Sequence, residues 1–136
     1  MHQAVITIGS GKFFGRGMGL GTQSRLYFLP ESQTDFAYAS LVEQFGFVGG
    51  LVVILLYFII INILVSRTLK FYYQKDEESK QSFLYSIGFL SYFTFQVIVN
   101  LGMNLGILPI AGVALPFISY GGSSIATLML GMAFMP

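Results

Sequence analysis

The sequence predicts an all-α integral membrane protein: a fragment of a multi-pass helical bundle with a large glycine-rich outer loop and a re-entrant loop. Composition is the first observation, since 54% of the 136 residues are hydrophobic and only 10% are charged, with a mean hydropathy of +0.73. Soluble domains carry roughly a quarter charged residues. The second observation is the uncharged apolar run 44–66, because about 20 such residues cross a bilayer. The third is a further apolar run, 102–122, that glycines and prolines interrupt.

The chain lacks the residues that several kinds of functional site require. The chain has no cysteine, which excludes disulfides, thiolate zinc sites and cysteine nucleophiles. His2 is the one histidine, so this chain alone cannot assemble a His-rich metal site or a Ser-His-Asp triad. A formal net charge of +1 provides no basic field for nucleic acid.

Residues 1–35 are predicted to form the outer loop. Its first residues, His2 to Ile8, are apolar but too short to span a bilayer, which also fits the tail of an upstream membrane helix. The glycines that follow disfavour helix and strand alike. Within thirteen residues lie Gly9, Gly11, Gly15, Gly17, Gly19 and Gly21. One interpretation is a nest of backbone N–H groups that holds an anion such as a diphosphate, together with Lys12 and Arg16. The other is a plain loop packed on the bilayer surface. The residues alone favour the second, because the spacing matches neither glycine pattern of nucleotide-binding loops.

Residues 36–66 are predicted to be the first complete membrane helix, with small residues near its entrance that permit a close helix neighbour. Residues 67–81 are predicted to form a connecting loop. It holds four cations: Arg67, Lys70, Lys75 and Lys80. The positive-inside tendency places this loop in the cytoplasm, and therefore Asp35 on the outer side.

Residues 82–103 are predicted to be a second membrane helix that returns the chain to the outer side. Gln96, Asn100 and Asn104 follow one another at four-residue spacing, a polar stripe that we expect to face protein. Residues 104–122 should be an outer or re-entrant loop, since irregular backbone at membrane depth must be buried or line a wet cavity. Ser123 and Ser124 would cap a truncated membrane helix over 123–136, which is too short to cross a bilayer. We therefore expect the chain to be one segment of a larger bundle.

Asp35 stands at the mouth of the first membrane helix, where hydrocarbon gives a carboxylate no solvation. As a helix cap, it or Thr34 would accept hydrogen bonds from the first free backbone N–H groups. As a reactive group, it would act on the polar head of a lipid-linked substrate whose tail stays in the bilayer. The helix starts either at Pro30, which puts Glu31 and Asp35 on one face, or after Asp35. The residues leave both alternatives open.

With these segments placed, the sequence resembles the carboxyl-terminal half of the SEDS family (shape, elongation, division and sporulation), the RodA/FtsW/SpoVE-like membrane glycosyltransferases of bacterial wall synthesis. The matching residues cover nearly the whole chain in the family's order: Ile8-Gly9-Ser10-Gly11, Gly15-Arg16-Gly17, Gly21-Thr22-Gln23-Ser24, Leu29-Pro30-Glu31, Thr34-Asp35-Phe36, Glu43, Phe45-Gly46, Asn100-Leu101-Gly102-Met103, Gly106-Ile107-Leu108-Pro109 and Leu115 to Ser124. Gly21 to Ser24 is slightly closer to the elongation branch. Gln33 stands where relatives often have histidine.

The resemblance implies a peptidoglycan glycan-strand polymerase that acts on lipid II in the bacterial cell membrane. The segment would be the eighth, ninth and beginning of the tenth of ten membrane helices. Asp35 would be the catalytic base, or alternatively the ligand of a divalent cation, Mg²⁺ or Mn²⁺. The candidate substrate-binding residues are Glu31, Lys12, Arg16, Gln23, Ser119 and Ser123, with a pocket-wall role equally open for the Ser119 to Ser124 segment. A class B penicillin-binding protein, a transpeptidase, is the implied partner.

Two other functions fit broken membrane helices. One is a lipid II flippase or transporter, which would move substrate without forming a bond. The other is a non-catalytic membrane scaffold for a transpeptidase, in which Asp35 would be dispensable. We expect the fragment alone to be inactive, because the amino-terminal half of the resemblance is absent from it.

Overall fold

The computed structural model describes residues 2–15, 17, 35–74 and 76–135. They form four α-helices and no strand. These are α1 (His2–Ser10), α2 (Ala37–Tyr73), α3 (Glu77–Asn104) and α4 (Gly122–Ala133). Part of the segment predicted as an outer loop is therefore helical, since α1 lies within 1–35.

Two of the helices, α2 and α3, are long and apolar enough to cross a membrane, with mean hydropathy of 2.9 and 1.5 over their most apolar windows. At about 1.5 Å per residue each exceeds the ~30 Å of a hydrocarbon core. Most of their large apolar side chains are exposed, among them Leu55, Phe58 and Phe95. Such surfaces require lipid or further helices around them.

The prediction of a loop over 67–81 is wrong. Residues 67–73 continue α2 and residues 77–81 begin α3, which leaves 74–76 as the connection. Gln74 ends α2 with extended backbone angles, φ −85° and ψ 133°. The charged residues marked where the apolar run stops, but a helix that reaches water keeps its backbone hydrogen bonds and continues.

Antiparallel packing of α2 and α3 is fixed by contacts at three levels. Near the connection, the rings of Tyr72 and Phe83 lie 5.5 Å apart, and midway those of Tyr57 and Phe93 lie 6.2 Å apart. At the far end, the backbone N–H of Ala39 donates to the side chain of Asn104. The open end of this hairpin is thus the end that holds Asp35.

A break in α2 at Gly46 accommodates the beginning of the glycine-rich segment. Gly46 has φ +74°, and the helix N–H of Phe47 donates to the carbonyl of Lys12 at 2.9 Å. A Cβ on Gly46 would overlap the backbone of Phe13 and Gly15. Residues 11–15 are therefore packed into α2, whereas the favoured interpretation put them on the bilayer surface. The small residues were predicted to permit a close helix neighbour; at Gly46 the close neighbour is instead the loop backbone of Phe13 and Gly15.

Residues 105–121 run back from the end of α3 to its middle. The hydroxyl of Tyr57 donates to the carbonyl of Pro116, and the ring of Phe117 lies 6.1 Å from that of Phe93. From there α4 packs along α3, where the hydroxyl of Tyr85 donates to the carbonyl of Gly131 at 2.8 Å. The prediction that Ser123 and Ser124 cap α4 is wrong. Gly121 precedes α4 and has no side-chain cap bond, and the Ser124 hydroxyl donates to the Gly121 carbonyl instead.

Candidate functional site

Asp35 lies half-buried two residues before α2, at the open end of the hairpin. Of the two predicted starting points, the helix uses the one after Asp35, because its first residue is Ala37. The preceding residue, Phe36, supplies no side-chain cap bond. Residues 31–34 lie outside the described residues, and so does the predicted pairing of Glu31 with Asp35.

Asn104 caps α2 from another helix. Its Oδ1 accepts a hydrogen bond from the backbone N–H of Ala39 at 3.3 Å. Ala39 is the third residue of α2, so its N–H is one of the four at the helix start that have no intrahelical acceptor. A capping Ser, Thr, Asn or Asp normally satisfies this N–H from the residue just before the helix. Here the acceptor comes from 65 residues further along the chain.

Asn104 and Asn100, which lies four residues earlier on α3, both bind the backbone of Asp35. Nδ2 of Asn100 donates to the Asp35 carbonyl at 3.1 Å, and Nδ2 of Asn104 donates to it at 3.0 Å. The two amides also contact each other, at 3.0 Å from Nδ2 of Asn104 to Oδ1 of Asn100. Both side chains are 0% exposed, so the prediction that these members of the stripe face protein is confirmed. Gln96 is half-buried and donates to the Tyr92 hydroxyl.

The carboxylate of Asp35 faces the segment 105–121. A Cβ placed on Gly112 would lie 3.6 Å from Oδ2 of Asp35. Gly112 has φ +62°, a conformation that glycine adopts without strain. Its neighbour Val113 accepts a hydrogen bond from Nδ2 of Asn100 at 2.6 Å. The beginning of α2 and the loop are therefore tied together through α3.

Ser119 and Ser123 differ in their surroundings. Ser119 is 1% exposed, its hydroxyl accepts the N–H of Leu115 at 2.7 Å, and its own N–H donates back to the Leu115 carbonyl. This placement favours the pocket-wall alternative for Ser119. Ser123 is exposed in the first turn of α4. Between Leu115 and Ser119, Phe117 has φ +66°, an uncommon conformation for a bulky residue.

Lys12 is exposed and lies beside the break in α2. The carbonyl of Lys12 accepts a hydrogen bond from the N–H of Phe47. Phe47 comes twelve positions after Asp35 in the chain, so about three helical turns separate Lys12 from Asp35. With Ile8, Phe13 and Val42, Lys12 lines a cavity of about 350 Å³. The other candidates, Arg16, Gln23 and Glu31, lie outside the described residues.

A groove of about 480 Å³ opens between the first turns of α2 and the end of the loop. Ser40 and Gln44 line it from one face of α2, and Tyr120, 79% exposed, lines it from the loop. Ala37, two residues after Asp35, is part of its wall. Sequence reasoning missed Ser40 and Gln44, although their four-residue spacing was a signal of a polar helix face. Tyr120 belongs to the Ser119 to Ser124 segment, for which the sequence predicted a pocket wall or a substrate contact.

A divalent cation at Asp35 would find few protein ligands in the part of the chain that the structure describes. No three His, Cys, Asp or Glu side chains come together there. Mg²⁺ commonly binds one or two carboxylates, with waters and substrate phosphates completing its shell. The residues present thus fit a cation shared with a phosphorylated substrate better than a cage made by the protein.

Sequence comparison matches residues 1–135 to the family model of FtsW, RodA and SpoVE, described as cell cycle protein. The chain is 42% identical over 128 residues to the peptidoglycan glycosyltransferase RodA of Treponema pallidum, covering 94% of this chain and 28% of that one. It is 39% identical over 128 residues to the stage V sporulation protein E of Bacillus subtilis, with 94% and 33% covered. To the peptidoglycan glycosyltransferase MrdB of Escherichia coli K12 it is 42% identical over 129 residues, with 95% and 33% covered.

The fold is also similar to a solved structure. A chain in a structure described as the coordination of polymerization and crosslinking by a peptidoglycan synthase complex superposes with a TM-score of 0.72. The two chains are 28% identical, and the match covers 98% of this chain and 35% of that one. The chain thus spans about a third of the length of the curated relatives it matches. It belongs to the FtsW, RodA and SpoVE family.

Proposed function

We propose that this chain is the carboxyl-terminal part of a peptidoglycan glycosyltransferase that polymerises lipid II, with Asp35 as its catalytic base. The observation that carries the proposal is the placement of Asp35. Its carboxylate faces the loop at Gly112, just before a membrane-length helix. Ala37, two residues further on, is part of the wall of the groove that Ser40, Gln44 and Tyr120 line. Relatives named peptidoglycan glycosyltransferases, at about 40% identity, support the reaction class.

The proposed reaction joins two lipid-linked saccharides. The 4-hydroxyl oxygen of the acceptor sugar forms a bond to the anomeric carbon of the growing glycan, while the bond from that carbon to undecaprenyl diphosphate breaks. The proton of the hydroxyl passes to the carboxylate of Asp35. The departing diphosphate takes the electron pair and needs positive charge near it. Lys12 and Arg16 are candidates for that charge, and Glu31 and Gln23 for binding the sugars.

The proposed orientation puts Asp35 on the outer face of the bacterial cell membrane and the 74–76 connection in the cytoplasm. Arg67, Lys70 and Lys80 flank that connection, in accord with the positive-inside tendency. Residues 105–121 would then be a re-entrant loop that enters from the outer side. Their return to Tyr57 and Phe93, midway along α2 and α3, supports this arrangement.

A cation and a protein partner complete the proposal. Mg²⁺ or Mn²⁺, if bound, would be held by Asp35 and by diphosphate oxygens, and would neutralise the leaving group. The partner would be a class B penicillin-binding protein, which crosslinks the strands. Similarity to a complex that couples polymerization and crosslinking supports such a partner.

The experiment is glycan-strand synthesis from purified lipid II by the complete protein with its cognate transpeptidase. Asp35→Asn is compared with wild type, and Asp76→Asn is the matched control, because Asp76 is exposed at the opposite end of the hairpin and makes no side-chain cap bond. We expect strands from the wild type and Asp76→Asn, and a rate at least about 100-fold lower from folded Asp35→Asn.

Equal synthesis by Asp35→Asn would refute the assignment of Asp35 as the base. If the wild type forms no strands, lipid II movement across vesicles and transpeptidase binding are measured next. Movement without polymerisation would identify a flippase, and transpeptidase binding alone would identify a scaffold.

A further inference from the structure

We infer that Asn100 and Asn104 are positioning residues that set where the carboxylate of Asp35 stands relative to the 105–121 loop; this inference rests on the proposed function. Neither side chain is assigned a contact with substrate. They act through the Asp35 backbone carbonyl, to which both amides donate at 3.0–3.1 Å.

Burial of two amides at this place requires an explanation. Both are 0% exposed in a helix whose other buried residues near them are apolar, such as Val97 and Met103. A buried amide that fails to form hydrogen bonds costs about 1–3 kcal/mol, and leucine of similar size would pack there without that risk. Helix packing alone therefore gives no reason for asparagine at both positions.

The partners of the two amides supply the reason. Between them they bond Asp35, Ala39 and Val113, which belong to the approach to α2, its first turn and the loop. These are the segments that border the carboxylate. Because each bond ends on a backbone atom, the pair fixes main-chain positions whatever side chains surround them.

Asn104 is the more informative of the two residues because its amide has two separable tasks. Oδ1 accepts from Ala39, which stabilises the start of α2, and Nδ2 donates to Asp35. An ionised aspartate keeps the acceptor and the size but loses the donor to Asp35 and to Asn100. Asn104→Asp therefore removes the link to Asp35 while retaining the cap.

The test measures kcat, KM for lipid II and Tm for the complete protein with its transpeptidase. Its variants are Asn104→Asp, Asn100→Asp, Asp35→Asn, and Gln96→Glu as the matched amide-to-acid control. Gln96 is on the same helix and bonds Tyr92, away from Asp35. We expect Asn104→Asp to lower kcat about 10- to 100-fold, the effect of a misplacement of about 1 Å. KM should stay within about twofold. Tm should fall below the Gln96→Glu value, because a buried carboxylate then faces the carbonyl oxygens that Nδ2 had bonded, so kcat is measured well below the Tm of every variant.

Other outcomes overturn the inference. A kcat of Asn104→Asp equal to that of Gln96→Glu, measured well below the Tm of both variants, would make the pair structural. If Asn104→Asp does not fold, Asn100→Asp decides by the same readouts, since it leaves the bond to Ala39 in place; if neither folds, the pair is structural. Full activity of Asp35→Asn would instead refute the proposed function. If Asp35→Asn is inactive while Asn100→Asp and Asn104→Asp are fully active, only the positioning role is refuted.

Discussion

The hydroxyl of Tyr57 donates a hydrogen bond to the carbonyl of Pro116, across 59 positions of the chain. Tyr57 lies in the middle of α2 and is 4% exposed. The bond fixes the depth to which the 105–121 loop descends between the helices. Asn100, through Val113, fixes the same loop nearer the open end of the hairpin. The loop that faces Asp35 is thus held at two levels.

Tyr57→Phe removes one of these two fixation points. In this variant the buried carbonyl of Pro116 loses its hydrogen-bond donor, so we expect the free energy of unfolding to fall by about 1–3 kcal/mol. The aromatic contact with Phe93 remains. Thermal unfolding of the complete protein in detergent measures the loss, and Tyr92→Phe is the control, because Tyr92 is half-exposed and accepts only from Gln96 in the described residues. Equal Tm values for the two variants would contradict the role of the bond.

Gly46→Ala should be strongly destabilising. The position has φ +74°, and a Cβ there would meet the backbone of Phe13 and Gly15, which cannot move as a flexible side chain can. Positive φ alone costs about 1–2 kcal/mol for alanine, and the overlap adds to it. We expect a loss of at least about 2 kcal/mol in the free energy of unfolding.

Gly88→Ala is the matched control for Gly46→Ala. Gly88 lies inside α3, and a Cβ there meets nothing within 4 Å. Alanine is favoured over glycine in a helix interior by about 0.5–1 kcal/mol, so this variant should be neutral or slightly more stable. If both variants had the same stability, the packing of residues 11–15 against α2 would be refuted.

The sequence was sufficient for the helical architecture because apolar runs of membrane length leave few alternatives. It misplaced the end of α2, since Arg67 and Lys70 mark where hydrocarbon ends and give no signal that the helix ends. It also could not supply the setting of Asp35. Asn100 and Asn104, which bind the backbone of Asp35, are 65 and 69 positions away from it in the chain. Their four-residue spacing predicted a shared face but named no partner for it.

Ser119→Ala and Ser123→Ala should separate a loop-forming serine from an exposed one. Without its hydroxyl, Ser119 no longer accepts the buried N–H of Leu115, and the free energy of unfolding should fall by about 1–3 kcal/mol. Ser123 is exposed, so its replacement should change stability by less than about 0.5 kcal/mol. Thermal unfolding gives both values. A Ser123→Ala variant that is stable but has a raised KM for lipid II would identify Ser123 as a substrate contact, whereas an unchanged KM would remove it from the candidates.

Titration with divalent cations should distinguish the two proposed roles of Asp35. As a base, the carboxylate takes a proton that an amide cannot take, so Asp35→Asn should remain at least about 100-fold slower than wild type at every Mg²⁺ or Mn²⁺ concentration. As a metal ligand, it contributes affinity, and a weakened site fills again when the cation concentration is raised. The measurement is the polymerisation rate after chelation and stepwise return of each cation, for wild type, Asp35→Asn and the Asp76→Asn control. Recovery of Asp35→Asn toward the wild-type rate at high cation would contradict the base and establish the ligand.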